Sequence, residues 1–343
     1  MSKPKHILVI RLSAMGDVAM TVPVLRTFAQ TYPNVSLTVL TRPFYQPFFD
    51  DIPNVEVLEA DVYGKHKGLG LFHLARDAKS NGIDAVADLH NVIRSKFITK
   101  YLWAMGVRTA TLNKGRAQKK KLIKAKGAAL TPLKSTHQRY ADVFAQLGYP
   151  LDLQTQVFPE RKPLTSRLHD IMGNHTQKAI GIAPFAAYKS KVYPFELMKD
   201  VVKKLDASEK YRIFLFGGGK EEIADLNTLA LLFPSVTNVA GKLTIEEELA
   251  LISNLDLMLS MDSSNGHLAA MFGIPVITLW GVTHPYAGFV PFRQPETNQL
   301  LADRSKYPKI PTSVYGNKYP SAYENAMETI APDRIVTKIK ELL

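Results

Sequence analysis

The chain has 343 residues, roughly two domains' worth, and is 46% apolar and 22% charged, the balance of a folded soluble protein. It has no cysteine, which excludes disulfides, thiolate zinc sites, iron–sulfur clusters and a cysteine nucleophile. Forty-three Lys and Arg against 31 Asp and Glu leave a net charge of +12, which favours an anionic partner such as nucleic acid, phospholipid headgroups or a phosphorylated substrate.

Residues 1–6 are short and basic, and the apolar run 7–10 behind them is cut by Arg11, too short for a signal segment. No run of about 18 apolar residues follows, so no membrane span is expected and a cytoplasmic chain is. The run 6–12 ends in Ser13-Ala14-Met15-Gly16-Asp17, the pattern of a buried parallel strand and a tight turn. Helical spacing of Val18, Val22, Leu25, Phe28 and Ala29 predicts a helix over 17–31, stopped by Tyr32-Pro33-Asn34. Strands are predicted at 36–40, 54–58 and 83–89, with helices or loops between them. This alternation is that of a doubly wound parallel sheet.

The basic excess is local. Arg108, Lys114, Arg116, Lys119, Lys120, Lys121, Lys124, Lys126, Lys134 and Arg139 fall in one stretch with no Asp or Glu. Gly115, Gly127 and Pro132 interrupt it, so a mobile basic loop or a broken helix is expected. It is either a solvated loop or an electrostatic clamp for an anion. No Phe, Trp or Tyr lies between 109 and 138, so platforms for stacking single-stranded bases are missing.

After Tyr149-Pro150 the pattern weakens, and the polar segment 154–178, with Pro159 and Pro163, reads as a linker with a short helix. The alternation then restarts. Strands are predicted at 179–183, 211–216, 236–239, 255–260 and 276–280, and helices at 195–205, 221–232, 245–253 and 266–272. A final helix at 333–343 follows Pro332. Two α/β halves joined by a linker leave a cleft, and ligands of such sheets bind beyond the carboxyl ends of the strands.

Four segments carry chemistry. Asp262-Ser263-Ser264-Asn265-Gly266-His267 lies between a buried strand and a helix. Its serines and asparagine suit an N-cap, and the first-turn N–H groups suit a diphosphate. Lys189 and Lys191 follow the 179–183 strand and could pair with phosphate, or be surface lysines. Gly217-Gly218-Gly219 permits close approach to a ligand, but the chain contains neither a dinucleotide GxGxxG pattern nor a P-loop. Asp17, at the first strand–helix turn, could take a proton from an acceptor hydroxyl or cap its own helix.

Together these segments resemble glycosyltransferase family 9, the bacterial lipopolysaccharide heptosyltransferases. The resemblance runs in order through ILVIRLSAMGDVAMTVPVLRTF (7–28), DLHNVIRS (88–95) and MDSSNGHLAAMFGIPVITLWGVTHP (261–285), the last being the most specific. It implies the GT-B architecture, an α/β fold of two Rossmann-like doubly wound domains facing a central cleft. The expected divisions are an acceptor-binding domain at 1–160, a nucleotide-sugar-binding domain at 175–328, and a helix at 329–343 packing back on the first domain. It also implies inverting, metal-independent transfer of heptose from an ADP-sugar to an inner-core lipopolysaccharide acceptor, with no cofactor.

By resemblance, Asp17 is the catalytic base. The donor-binding set is Lys189, Lys191, Gly217, Gly218, Gly219, Asp262, Ser263, Ser264, Asn265, Gly266 and His267. The acceptor-binding set is Ser13, Gly16, Arg94, Lys96, Lys119, Lys120 and Lys121. The basic stretch would meet phosphorylated lipid at the inner face of the cytoplasmic membrane. A monomer is expected, and no nucleic-acid partner.

The sequence departs from the better-known members in three places. Ser-Ser-Asn-Gly-His stands where they have Thr-Gly-Leu-Ser-His, and Ala186-Ala187 where they carry hydroxyl residues. The glycine turn lacks their acidic residue unless Glu221 or Glu222 replaces it. The alternatives are another donor or acceptor on the same fold, a nucleotide-sugar 2-epimerase, a catalytically dead sugar-nucleotide binder and, last, a nucleic-acid-binding protein.

Overall fold

The computed structural model describes residues 3–125, 130–173 and 176–343. The chain forms two compact units, Met1–Gly115 with Lys134–Pro159, and Arg116–Leu133 with Glu160–Leu343.

In the first unit, β1 (His6–Ile10) leads into α1 (Met15–Ala19) and α2 (Val22–Thr31), followed by β2 (Ser36–Thr41), β3 (Val55–Glu59), α3 (Gly70–Ser80), β4 (Ala85–Asp88), α4 (Ile93–Ala104) and β5 (Arg108–Thr111). The helix α5 (Arg116–Lys124) belongs to the second unit, and α6 (Thr136–Gln146) to the first. All five strands are parallel, in the order β3-β2-β1-β4-β5. Ile7, Leu8, Val9 and Ile10 of β1 are wholly buried, as a strand with helices on both faces requires. The predicted helix 17–31 is two helices, because Thr21 turns its hydroxyl onto Val18 O at 2.7 Å and Pro23 opens α2. The strand β5 went unpredicted because its four residues are short and only partly buried.

The second unit adds α7 (Ser166–Met172), β6 (Lys178–Ala183), α8 (Phe195–Asp206), β7 (Tyr211–Leu215), α9 (Lys220–Leu232), β8 (Val236–Asn238), α10 (Ile245–Ser253), β9 (Leu257–Met261), α11 (Ser264–Met271), β10 (Val276–Trp280), β11 (Gln299–Leu301) and α12 (Pro332–Leu342). Its six strands are parallel, in the order β11-β10-β9-β6-β7-β8. Counted from each unit's own first strand, both sheets follow the Rossmann order 3-2-1-4-5, and the second continues to a sixth strand. Strand order therefore reverses between β1 and β4 in one unit and between β6 and β9 in the other.

The final helix has its buried face inside the second unit. Ile335, Val336 and Ile339 of α12 are buried in one core with Met198, Val201, Val202 and Leu205 of α8, and Lys204 holds Asp333 at 2.7 Å. An apolar stripe at helical spacing seeks the nearest apolar face, and α8 supplies it.

The basic stretch does not all stay with the first unit. Helix α5 buries Leu122, places Lys119 Nζ 4.0 Å from the Phe289 ring centre, and is followed by a Leu133 N–H bond to Tyr286 O at 2.9 Å. The described part of the stretch is thus a strand, a nine-residue helix and a second helix, with Gly115 between the strand and the first helix. Lys126 and Gly127 lie outside the described residues. No helix among the described residues is long and apolar enough to cross a membrane.

Candidate active site

The first unit's switch point lies at the ends of β1 and β4, and Asp17 stands just beyond β1. The N-cap of α1 is Ala14, so Asp17 is not the cap. It is the third helical residue, and its Oδ2 meets an Arg11 guanidinium nitrogen at 2.6 Å. The Arg11 side chain is 6% exposed and that of Asp17 32%, so the cation is inside and the carboxylate faces out.

Arg11 is held from every side. It donates to Leu89 O at 2.8 Å and lies 5.9 Å from the Tyr140 ring centre, and its Nε has no partner among the described residues. Tyr140 in turn donates to Asp17 O at 3.3 Å, and burial pushes its phenol well above the usual range. Ser13 and Gly16, half-buried, flank Asp17 in the same turn.

The DLHNVIRS segment is the scaffold of this arrangement. Asp88, fully buried at the end of β4, accepts from the His90 and Asn91 N–H groups at 2.9 and 2.7 Å and from the Ser95 hydroxyl at 3.0 Å. The folded-back turn presents Leu89 O to Arg11 and carries Arg94 and Lys96 outward on the first turn of α4. His90 Nδ1 accepts from the Leu12 N–H at 3.4 Å. Burial, reinforced by Arg11, Lys114 and Arg94, lowers the His90 pKa to about 3, so its ring is neutral.

The second unit's switch point lies at the ends of β6 and β9. Lys191 follows β6, and Asp262 follows β9. Lys191 Nζ meets Asp262 Oδ2 at 3.0 Å, and Thr283 Oγ1 donates to the same oxygen at 3.0 Å. Here both partners are buried, with side-chain exposures of 13% and 9%. Ser190 fixes the loop through its hydroxyl on Gly316 O at 2.6 Å.

Ser263 occupies the N-cap position of α11 but makes no capping bond, and its Oγ is buried without a partner among the described residues. The first-turn N–H groups therefore lack a side-chain cap. Gly266 lets the helix sit against the sheet, since a Cβ there would lie 2.5 Å from Ser260 Oγ. Ser264 is half-buried, His267 is buried on α11, and the Asn265 amide reaches Glu248 at 3.4 Å.

The remaining predicted donor residues divide. Lys189 turns away to an exposed pair with Glu324 at 2.5 Å and does not join Lys191. The Gly217–Gly219 turn closes β7 and opens α9, with Gly219 at φ 92° in the N-cap position. Glu222 folds back to accept the Gly218 N–H at 2.8 Å, so the acidic residue near this turn is one that α9 supplies.

Of the acceptor set, Lys120 and Lys121 are exposed on α5, whereas Lys119 is buried in the second unit. Sequence reasoning missed Arg11, Asp88, His90, Thr283 and His284. His284, beyond β10, accepts the Tyr286 N–H on Nδ1 at 3.2 Å, and burial, with Arg304 nearby, lowers its pKa to about 4. The signals were Arg11 breaking an apolar strand, and two histidines inside apolar surroundings. Among the described residues, no three or more His, Cys, Asp or Glu are grouped to hold a metal ion.

Two Rossmann-like units, each with an Asp–cation pair beyond its switch point, have the architecture of the GT-B glycosyltransferases, and solved members share it. The structure is similar to ADP-heptose lipopolysaccharide heptosyltransferase II of Escherichia coli, with a TM-score of 0.70 at 18% identity over 98% of both chains. It is also similar to a family 9 glycosyltransferase of Veillonella parvula, with a TM-score of 0.75 at 19% identity over 98% of this chain and 97% of that one. In sequence it is 25% identical over 294 residues to the lipopolysaccharide core heptosyltransferase OpsX of Haemophilus influenzae, 82% of this chain and 80% of that protein. It is 25% identical over 361 residues to lipopolysaccharide heptosyltransferase 2 of Salmonella typhimurium, 98% of both. The family model of glycosyltransferase family 9 (heptosyltransferase) matches residues 71–319, and the chain belongs to that family.

Proposed function

We propose that the chain transfers heptose from ADP-heptose to an anionic lipopolysaccharide inner-core acceptor, with inversion and without a metal ion, with Asp17 as the general base. The observation that carries the reading is the outward Asp17 carboxylate, held by a buried arginine at a switch point. Arg11 occupies one carboxylate oxygen, and the other has no hydrogen bond among the described residues and is open to an acceptor hydroxyl. Asp17 takes the hydroxyl proton as the acceptor oxygen bonds to the anomeric carbon, and the bond from that carbon to the diphosphate breaks on the opposite face.

The departing diphosphate gains negative charge at the leaving oxygen. The uncapped N–H groups of α11 and the Lys191 ammonium are the groups that would stabilise it. An ammonium has three donors, so Lys191 can keep Asp262 while it binds a phosphate oxygen. Donor names support the substrate. The solved E. coli relative is named an ADP-heptose enzyme, and another solved relative, E. coli heptosyltransferase WaaC, is described with ADP.

Arg94 and Lys96 in the first unit, and Arg116, Lys120, Lys121 and Lys124 on the exposed face of α5, supply positive charge for an acceptor bearing carboxylates and phosphates. Lys119 serves the packing of α5 instead. The chain would work as a monomer in the cytoplasm, at the inner face of the membrane that carries the acceptor.

The test is ADP release from ADP-heptose, with and without a Kdo-lipid A acceptor, in excess EDTA. Acceptor-dependent release is expected. Release only after a divalent ion is restored overturns metal independence, and no release with this pair overturns the substrate assignment.

A further inference from the structure

The connection from β11 to α12, residues 302–331, is far longer than connections inside a compact unit usually are, and connections of this length are usually functional. It folds on a small core of its own, in which Ala302, Ile310, Tyr323 and Ala326 are buried with Val282, just past β10. Two hydrogen bonds tie it to the loops at the carboxyl ends of the strands. The Thr312 N–H donates to Val282 O at 2.9 Å, and the Tyr193 hydroxyl, in the loop after β6, donates to Ile330 O at 2.5 Å. The connection therefore lies against the loop that carries Lys191.

One turn of it touches Lys191 itself. Thr312 Oγ1 donates to Lys318 O at 3.0 Å and closes the turn. Inside it the buried Ser313 hydroxyl accepts the Tyr315 and Gly316 N–H groups at 3.2 and 3.0 Å and donates to Asn317 Oδ1 at 2.9 Å. Gly316, at φ 84°, faces the lysine. A Cβ there would lie 2.6 Å from Lys191 Cδ and 2.8 Å from its Cγ, closer than real Cβ atoms approach, so the stem fills the space that the glycine leaves. The residue before the lysine is gripped from two sides. Ser190 donates its hydroxyl to Gly316 O at 2.6 Å, and Gly281 comes so near Ser190 O that a Cβ would collide with it.

We propose that Gly316 is a positioning residue of the donor site. By lacking a Cβ it forms the slot that holds the Lys191 stem, so that the ammonium is in place before a diphosphate arrives. The inference rests on the reading of Lys191 as a diphosphate ligand. Asp262 holds the tip of the side chain at 3.0 Å, but not the stem. An ammonium on a free four-carbon stem must be ordered by the ligand it binds, and a stem packed in advance avoids that cost.

The experiment is calorimetric titration of the full chain with ADP, run as a double-mutant cycle. Gly316→Ala puts a methyl where the stem lies and should weaken ADP binding about tenfold. In a Lys191→Ala background there is no stem to displace, and the same substitution should change ADP affinity by less than about twofold. Ser313→Ala unties the turn without adding volume, and so serves even where Gly316→Ala does not fold. It should weaken ADP binding about threefold beside an intact Lys191, and not in the Lys191→Ala background. Variants that bind ADP like wild type overturn the proposal. So does a loss of equal size in both backgrounds, which would mean that the turn serves the fold and not the lysine. Wild type and Lys191→Ala that bind ADP alike overturn the reading of Lys191, and the inference falls with it.

Discussion

Each unit places an aspartate and a cation beyond its switch point, yet the two pairs are built in opposite senses. In the first, the arginine is buried and the carboxylate is the outward member. In the second, lysine and carboxylate are both buried, and Thr283 shares the carboxylate. A buried cation fixes its partner without hiding it, which suits a group that must exchange a proton. A largely buried pair is stable only while both members remain, because either alone is a poorly compensated charge. The first pair should therefore be sensitive in turnover, and the second in stability as well as ligand binding.

The sharpest way to break that contrast is Asp17→Asn. The amide oxygen can still accept from Arg11 but cannot take a proton. We expect turnover to fall about a thousandfold, with donor affinity within about twofold and the melting temperature little changed. Asp17→Ala should also lose stability, because it strips Arg11 of its counter-ion. Turnover that survives Asp17→Asn, measured as acceptor-dependent ADP release, would remove Asp17 from the base role.

Next in size is the second pair. Asp262→Ala leaves the Lys191 ammonium buried and alone, and should cost about 3 kcal/mol of stability, read as a drop of several degrees in melting temperature. Lys191→Met keeps the aliphatic stem but removes the charge. It should weaken donor binding about tenfold or more and destabilise similarly. If both variants melt like wild type, the burial contrast between the two pairs has no energetic consequence.

The two histidines test whether both halves rest on neutral rings. His90 and His284 have folded pKa values of about 3 and 4, below the ordinary 6.5. The unfolded chain then binds more protons than the folded one below about pH 6.5, so stability rises with pH across that window and is lost as pH falls. Each histidine should cost about 2 kcal/mol between about pH 7 and pH 5, at about 1.4 kcal/mol per pH unit below 6.5. His90→Gln and His284→Gln should each flatten the melting temperature's dependence on pH over this range. A profile unchanged in both variants would mean that other groups carry the acid sensitivity.

The alternation of elements was legible because apolar runs of strand length and apolar stripes of helical spacing are local signals. The runs 7–10 and 276–280 became β1 and β10, and the spacing over 195–205 became α8. The partner of a segment is not a local signal. The stripe of Ile335, Val336 and Ile339 announces a helix with a buried face but not that α8 receives it. Ten basic residues announce a charged surface but not that Lys119 turns its charge onto Phe289. The site was legible in the same uneven way. Asp17 and Asp262 lie at strand ends, where ligands of this fold bind, whereas Arg11 and His90 are recognised only once β4 lies beside β1.

The smallest expected effect separates two lysines that are neighbours in sequence. Lys189 and Lys191 begin and end one short turn, and sequence spacing gives no reason to prefer either. The structure does. Lys191 is 13% exposed and faces Asp262, whereas Lys189 is 79% exposed and its pair with Glu324 lies in solvent, where screening and side-chain entropy remove most of the benefit. Lys189→Ala should therefore leave the melting temperature within about a degree and donor affinity within about twofold, and Glu324→Ala should do the same. A tenfold loss of donor affinity in Lys189→Ala would show that Lys189 leaves Glu324 for the diphosphate when donor binds. The second unit would then hold its ligand with an exposed, mobile cation as well as a buried, fixed one.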